Sequence, residues 1–76
     1  HEEVNQLIQV TYTLHDEDTR QREIDGLLEA AQTTGCRELF ILTLEEEEEI
    51  NVSEYTIHVL PVWKWMLKIL YLSPKQ

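Results

Sequence analysis

Few residues in this chain are of types that do chemistry. Glutamates fill positions 45–49 without a break. Carboxylates in a row suggest Ca²⁺ or Mg²⁺, but a cation site needs oxygens that converge, usually around a glycine turn. A strand sends alternate side chains to opposite faces, so a run of this kind on a strand does not converge. The run therefore reads as a solvated arm whose charge keeps a sheet edge from pairing with other molecules. His15 and His58 fall on different elements with no nucleophile pattern beside either, and read as a helix-start residue and a strand residue. Cys36 follows a helix C-terminus, where the dipole disfavours a thiolate, and reads as a plain thiol. Trp63 and Trp65 are two apart, so on a helix they point about 200° from each other and cannot both face one core. One of them is free to serve as a docking surface, a role in which tryptophan is enriched. No catalytic, cofactor-binding or metal-ligating set is assigned from the residues alone.

Size and charge narrow the classes further. Seventy-six residues make one domain or part of one, and a chain this short buries only roughly 60% of its unfolded surface. Fifteen acidic residues against six basic ones give a formal charge of -9. Nucleic acids and anionic membranes are bound through Lys and Arg, so neither is an expected partner of this segment alone. A single cysteine excludes an internal disulfide and a thiolate zinc cage, which fits a reducing cytoplasm. No basic stretch followed by an apolar run opens the chain, so no signal peptide is expected. The most apolar stretch, residues 62–72, is too short to span a bilayer and contains Lys64 and Lys68.

The elements that must position these residues follow from periodicity. Residues 4–14 alternate Ile8, Val10, Tyr12 and Leu14 against Leu7, Gln9, Thr11 and Thr13, which predicts a strand with both faces covered. Residues 15–35 predict a helix. Asp16, Glu17 and Asp18 stand at its positive end, and Ile24, Leu27, Leu28 and Ala31 form one stripe. Gly35 is a natural stop, and Gly26 marks a weak point or a close approach. Residues 38–44 hold the continuous apolar run Leu39-Phe40-Ile41-Leu42, the mark of a central strand. A strand, a helix and a buried strand make a βαβ unit, with the two strands adjacent and parallel. The glutamate run is expected to form the first arm of a hairpin, with Asn51 and Ser53 in the turn and residues 55–60 as the second arm. Pro61 suits the first turn of a last helix over residues 62–71, ended by Ser73 and Pro74. That helix is apolar nearly all round, and the first strand looks central, so both ends of the chain ask for neighbours.

Four stretches together carry a resemblance. They are Leu7-Ile8-Gln9-Val10-Thr11-Tyr12, then Asp18-Thr19-Arg20-Gln21-Arg22-Glu23-Ile24 with Leu39-Phe40-Ile41-Leu42-Thr43, and Ile57-His58-Val59-Leu60-Pro61-Val62-Trp63-Lys64-Trp65-Met66-Leu67. The chain resembles the C-terminal domain of bacterial and archaeal AAA-type ATP-binding proteins, a domain of unknown function similar to the PD-(D/E)XK restriction-endonuclease-like fold. The resemblance covers nearly the whole chain. It is most specific in Thr-Arg-x-Arg-Glu-Ile and Pro-x-Trp-Lys-Trp.

The resemblance implies a partial restriction-endonuclease-like α/β fold, with a parallel βαβ core, a short hairpin and a C-terminal helix. It implies an ATPase domain outside this chain, to which ATP and Mg²⁺ would belong. A P-loop is absent here, and two glycines leave little material for one. In active nucleases of the fold an Asp and a Glu-x-Lys hold Mg²⁺ and activate water. The Glu-x-Lys position falls on Gln9 and Thr11, which supply neither charge, so nuclease activity is not carried over. The expected role is that of an accessory segment, structural or interactive, not an enzyme by itself. Its expected partners are the upstream domains of a cytoplasmic parent, with self-association through the last helix as another. A divergent Mg²⁺ nuclease and a free-standing protein-binding module are the alternatives.

Overall fold

The structure, a computed structural model, describes residues 5–72. The element order is β1 (Leu7–Val10), α1 (Glu17–Thr34), β2 (Leu39–Thr43), β3 (Glu48–Val52), β4 (Tyr55–Pro61) and α2 (Val62–Leu72). The strands form one mixed sheet in the order β1-β2-β4-β3. β1 pairs β2 in parallel with Leu7 opposite Leu39, and β2 pairs β4 in parallel with Leu39 opposite Ile57. β3 runs antiparallel to β4, with Ile50 opposite Ile57. The expected parallel βαβ unit is therefore present, and the chain is mixed α/β.

All five residues of β2 are buried, as its apolar run requires of a strand paired on both edges and covered on both faces. Alternation then divides the sheet. Leu39, Ile41, Ile50, Ile57 and Val59 join Ile24, Leu27 and Ala31 of α1 in the main core, with Leu14. Phe40 and Leu42 point the other way, and the ammonium of Lys68 in α2 lies 5.4 Å from the centre of the Phe40 ring. The two helices thus lie on opposite faces.

α1 is held by its ends as well as its stripe. The Asp16 carboxylate accepts hydrogen bonds from the Thr19 amide (2.9 Å) and hydroxyl (3.0 Å). These bonds, the amide first, hold the Asp16 carboxyl below its ordinary pKa. Gly35 takes φ +77° and returns its N–H to the Ala31 carbonyl, the left-handed cap that glycine adopts without strain.

Several boundaries differ from expectation. β1 ends at Val10, not at residue 14. The Thr11 amide still reaches the Leu42 carbonyl, but the Leu44 amide then reaches Tyr12, one residue further than the parallel ladder demands. Leu14, beyond this slip, is buried in the main core, while Val10 and Tyr12 are 70% and 76% exposed. β1 is also an edge strand among the described residues, not a central one. The hairpin turn is Ser53-Glu54, with Ser53 at φ +58°, and Asn51 belongs to β3. Pro61 closes β4 and Val62 opens α2, so the proline stands one residue ahead of the expected first turn. Val4, Ser73 and Pro74, named above as element ends, lie outside the described residues.

Candidate functional site

Gln9 and Thr11, the positions matched to the nuclease pattern, come from β1 and its first residue beyond. The Gln9 amide donates to the Glu23 carboxylate of α1 at 2.8 Å. This carboxylate reaches β1 from a helix fourteen residues on, a partner that strand periodicity alone does not reveal. Thr11 lies instead at the mouth of a cavity of about 290 Å³ lined by Val10, Tyr12, Thr43, Leu44 and Val62. The two positions therefore face different surroundings. Among the described residues no group of three or more His, Cys, Asp and Glu side chains is placed to hold a metal ion.

The glutamate run departs most from its reading as a solvated arm. Only Glu48 and Glu49 belong to β3, and residues 45–47 form a loop. The Glu46 carboxylate accepts from the Thr13 hydroxyl and from the Leu14 amide (2.7 Å), and lies 3.0 Å from His15 Nε2. Its backbone is clamped in turn: the Glu46 amide donates to the buried Thr43 hydroxyl, which donates to the Glu46 carbonyl, each at 2.9 Å. The Thr13 hydroxyl above all, with the Leu14 amide and His15, holds the Glu46 carboxyl below its ordinary pKa. Glu47 accepts both its ion-pair hydrogen bonds from Lys64 of α2, and Glu48 takes a bidentate pair from Arg20 of α1. Arg20 lowers the Glu48 carboxyl in the same way. Glu49 sits 3.5 Å from His58 Nδ1. Glu46 and Glu47 thus tie the loop, and Glu48 and Glu49 tie β3, each to a different part of the fold. The signal in the sequence was the oddness of five glutamates where two suffice for a charged edge.

Beside Glu46 lies an open cavity of about 320 Å³, lined by Tyr12, Thr13, His15, Leu44, Glu45 and Glu46. Both cavities sit outside the carboxyl ends of β1 and β2, where open α/β sheets usually bind ligands. The polar groups here bond to one another. Glu46 stands between Thr13 and His15, so its carboxylate ties the loop after β2 to the loop after β1.

α2 carries a row of exposed apolar side chains. Trp63, Met66, Leu67 and Leu70 follow one another at i, i+3, i+4 and i+7, and all four are exposed, Trp63 at 57% and Leu70 at 71%. Trp65 is half-buried. The two indoles are therefore split between inside and outside, as their spacing demands. Lys64 and Lys68 flank the stripe, one paired with Glu47 and the other seated on Phe40. His58 packs its ring 5.5 Å from Phe40, and Cys36 is buried with its Sγ toward the Glu38 carbonyl. Among the described residues no helix is long and apolar enough to cross a membrane.

Comparison with family models, with curated proteins and with solved structures finds no match to this chain.

Proposed function

We propose that this chain is the C-terminal accessory segment of a cytoplasmic AAA-type ATP-binding protein, within a restriction-endonuclease-like domain, and that it docks on the upstream domains of that protein without catalysing a reaction itself. The observation that carries the docking role is the stripe of Trp63, Met66, Leu67 and Leu70 left open on α2. A contiguous exposed apolar stripe marks an interaction surface. Its occupant is apolar protein. Both lysines of α2 are already engaged within the chain, and a net charge of -9 opposes phosphate-bearing partners. The family part of the proposal rests on the resemblance of residues 7–12, 18–24, 39–43 and 57–67.

The test is to read the gene upstream and express the chain with what precedes it. A P-loop upstream, with Trp63 emission shifted to the blue in the longer protein and not in the chain alone, supports the proposal. An upstream region without a P-loop removes the family assignment. An indole equally solvated in both proteins removes the docking role.

A Mg²⁺ nuclease is the second reading, and one observation keeps it in view: Glu23 brings a carboxylate to Gln9. One carboxylate held by a neutral amide falls short of the set that gathers a metal against phosphate. Plasmid incubated with the chain and Mg²⁺ or Mn²⁺ at low salt is expected to stay intact. Cleavage lost on Gln9→Ala or Glu23→Gln would promote this reading.

A further inference from the structure

We propose that the outer edge of β1 is a strand-pairing site that joins two copies of this chain. The two edges of the sheet are treated differently. The β3 edge carries Glu48 and Glu49, and Glu47 stands just before it. Charges of this kind blunt an edge against further pairing. Among the described residues the β1 edge has no such guard, because residues 5–14 contain no charged side chain.

The backbone of that edge is open. The amides of Leu7 and Thr11 donate toward β2, to Glu38 and Leu42. Backbone groups of a strand alternate in direction, so the amides and carbonyls of Ile8 and Val10 point outward. Nothing in the described residues lies beyond β1 in the sheet. Next to the edge, Val10, Tyr12, Leu44 and Val62 line an apolar cavity on the side away from α1. A strand added here needs apolar side chains on the cavity side and a polar one on the α1 side. β1 has that pattern itself, with Ile8 and Val10 on one side and Gln9 on the other. A two-fold axis through Gln9 makes an antiparallel pair in which Ile8 of one copy exchanges hydrogen bonds with Val10 of the other. Such a two-fold arrangement leaves neither β1 edge open. Both edges of the resulting eight-stranded sheet are β3, and both are guarded.

The site is independent of the α2 stripe, and the two separate in one experiment. A single strand pair buries less than the roughly 1,000 Å² of a stable interface, so the association is weak and is read up to the highest workable concentration. Sedimentation equilibrium of the full chain is expected to show mass rising from monomer to dimer with concentration. The dimer fraction should increase with added salt, which screens the repulsion between two acidic copies. Amide exchange should show Ile8 and Val10 gaining protection over the same range. Val10→Lys replaces an exposed side chain, leaves the fold intact by circular dichroism, and is expected to hold the chain monomeric. Leu67→Lys on α2 is expected to leave the dimer in place. A monomer at every concentration overturns the proposal. So does a dimer that survives Val10→Lys, or one that Leu67→Lys dissolves while the Ile8 and Val10 amides stay unprotected.

Discussion

The two helices face the same sheet from opposite sides and are finished to different degrees. α1 has a carboxylate cap, a left-handed glycine stop and a stripe in which Ile24, Leu27 and Ala31 are all buried. α2 is more apolar, yet none of residues 62–70 is buried and Trp65 alone is even half-buried. Hydrophobicity by itself therefore does not say which helix holds this fold together. What distinguishes α1 is that its apolar stripe faces the sheet, so Ile24, Leu27 and Ala31 leave water together, whereas Trp63, Met66, Leu67 and Leu70 of α2 stay exposed. α2 carries apolar residues on both sides, and only one side meets the sheet. The surplus is the exposed surface on which the proposed docking role rests.

Substitution should expose that contrast at once. Leu27→Ala on α1 is expected to cost about 2–5 kcal/mol, because it leaves a cavity in the main core. Leu67→Ala on α2 is expected to change stability by about 0.5 kcal/mol or less, because the side chain is already exposed. Equilibrium urea unfolding checks both. Equal losses would mean that the α2 face is as integral as the α1 face.

The next effect belongs to the anchor between the β1–α1 and β2–β3 loops. Glu46→Ala removes a carboxylate that accepts from Thr13 and Leu14 and is expected to cost about 1.5–3 kcal/mol. The loss should also depend on pH. Hydrogen bonds hold the folded-state pKa of Glu46 below its unfolded value, so its stabilisation is complete above that value, near about 4.3, and fades as pH falls through the folded pKa. Glu48 and Asp16 are shifted in the same direction and add to the slope. The wild-type chain should thus lose stability on acidification below about pH 4.5, and Glu46→Gln should flatten that loss. Urea midpoints measured from pH 7 down to pH 3 decide it.

The smallest effect is a gain. Gly26 has an ordinary helical φ, and a Cβ built there would meet only Gln9 Nε2, at 3.7 Å, a normal contact. Gly26→Ala is expected to raise stability by about 0.5–1 kcal/mol. A loss instead would show that β1 and α1 are closer than this contact implies.

The elements with one strong local signal were legible in the sequence. Leu39-Phe40-Ile41-Leu42 gave β2, the acidic start and Gly35 gave α1, and the length of α1 gave the parallel crossover. The elements decided by distant partners were not. The end of β1 depends on a one-residue slip against β2, and the period of two in residues 10–14 continued past it as if nothing happened. The glutamate run looked uniform because its five members are chemically identical. They differ only in what the fold brings to them: Thr13, Lys64, Arg20 and His58. Gln9 was legible as a polar residue in a strand, but its carboxylate partner was not, since Glu23 arrives from the helix above it. The split of Trp63 and Trp65 was legible because two residues on a helix fix an angle whatever surrounds them.

Residue-resolved amide exchange on the dilute monomer tests most directly whether the two helices are unequal. If α2 is an interface element waiting for its cover, its amides open locally and exchange far faster than those of α1, which should exchange only through global unfolding. Denaturant should then accelerate the α1 amides strongly and the α2 amides hardly at all. Amides of α2 as protected as those of α1, with the same dependence on denaturant, would contradict the account and make α2 part of one closed cooperative unit.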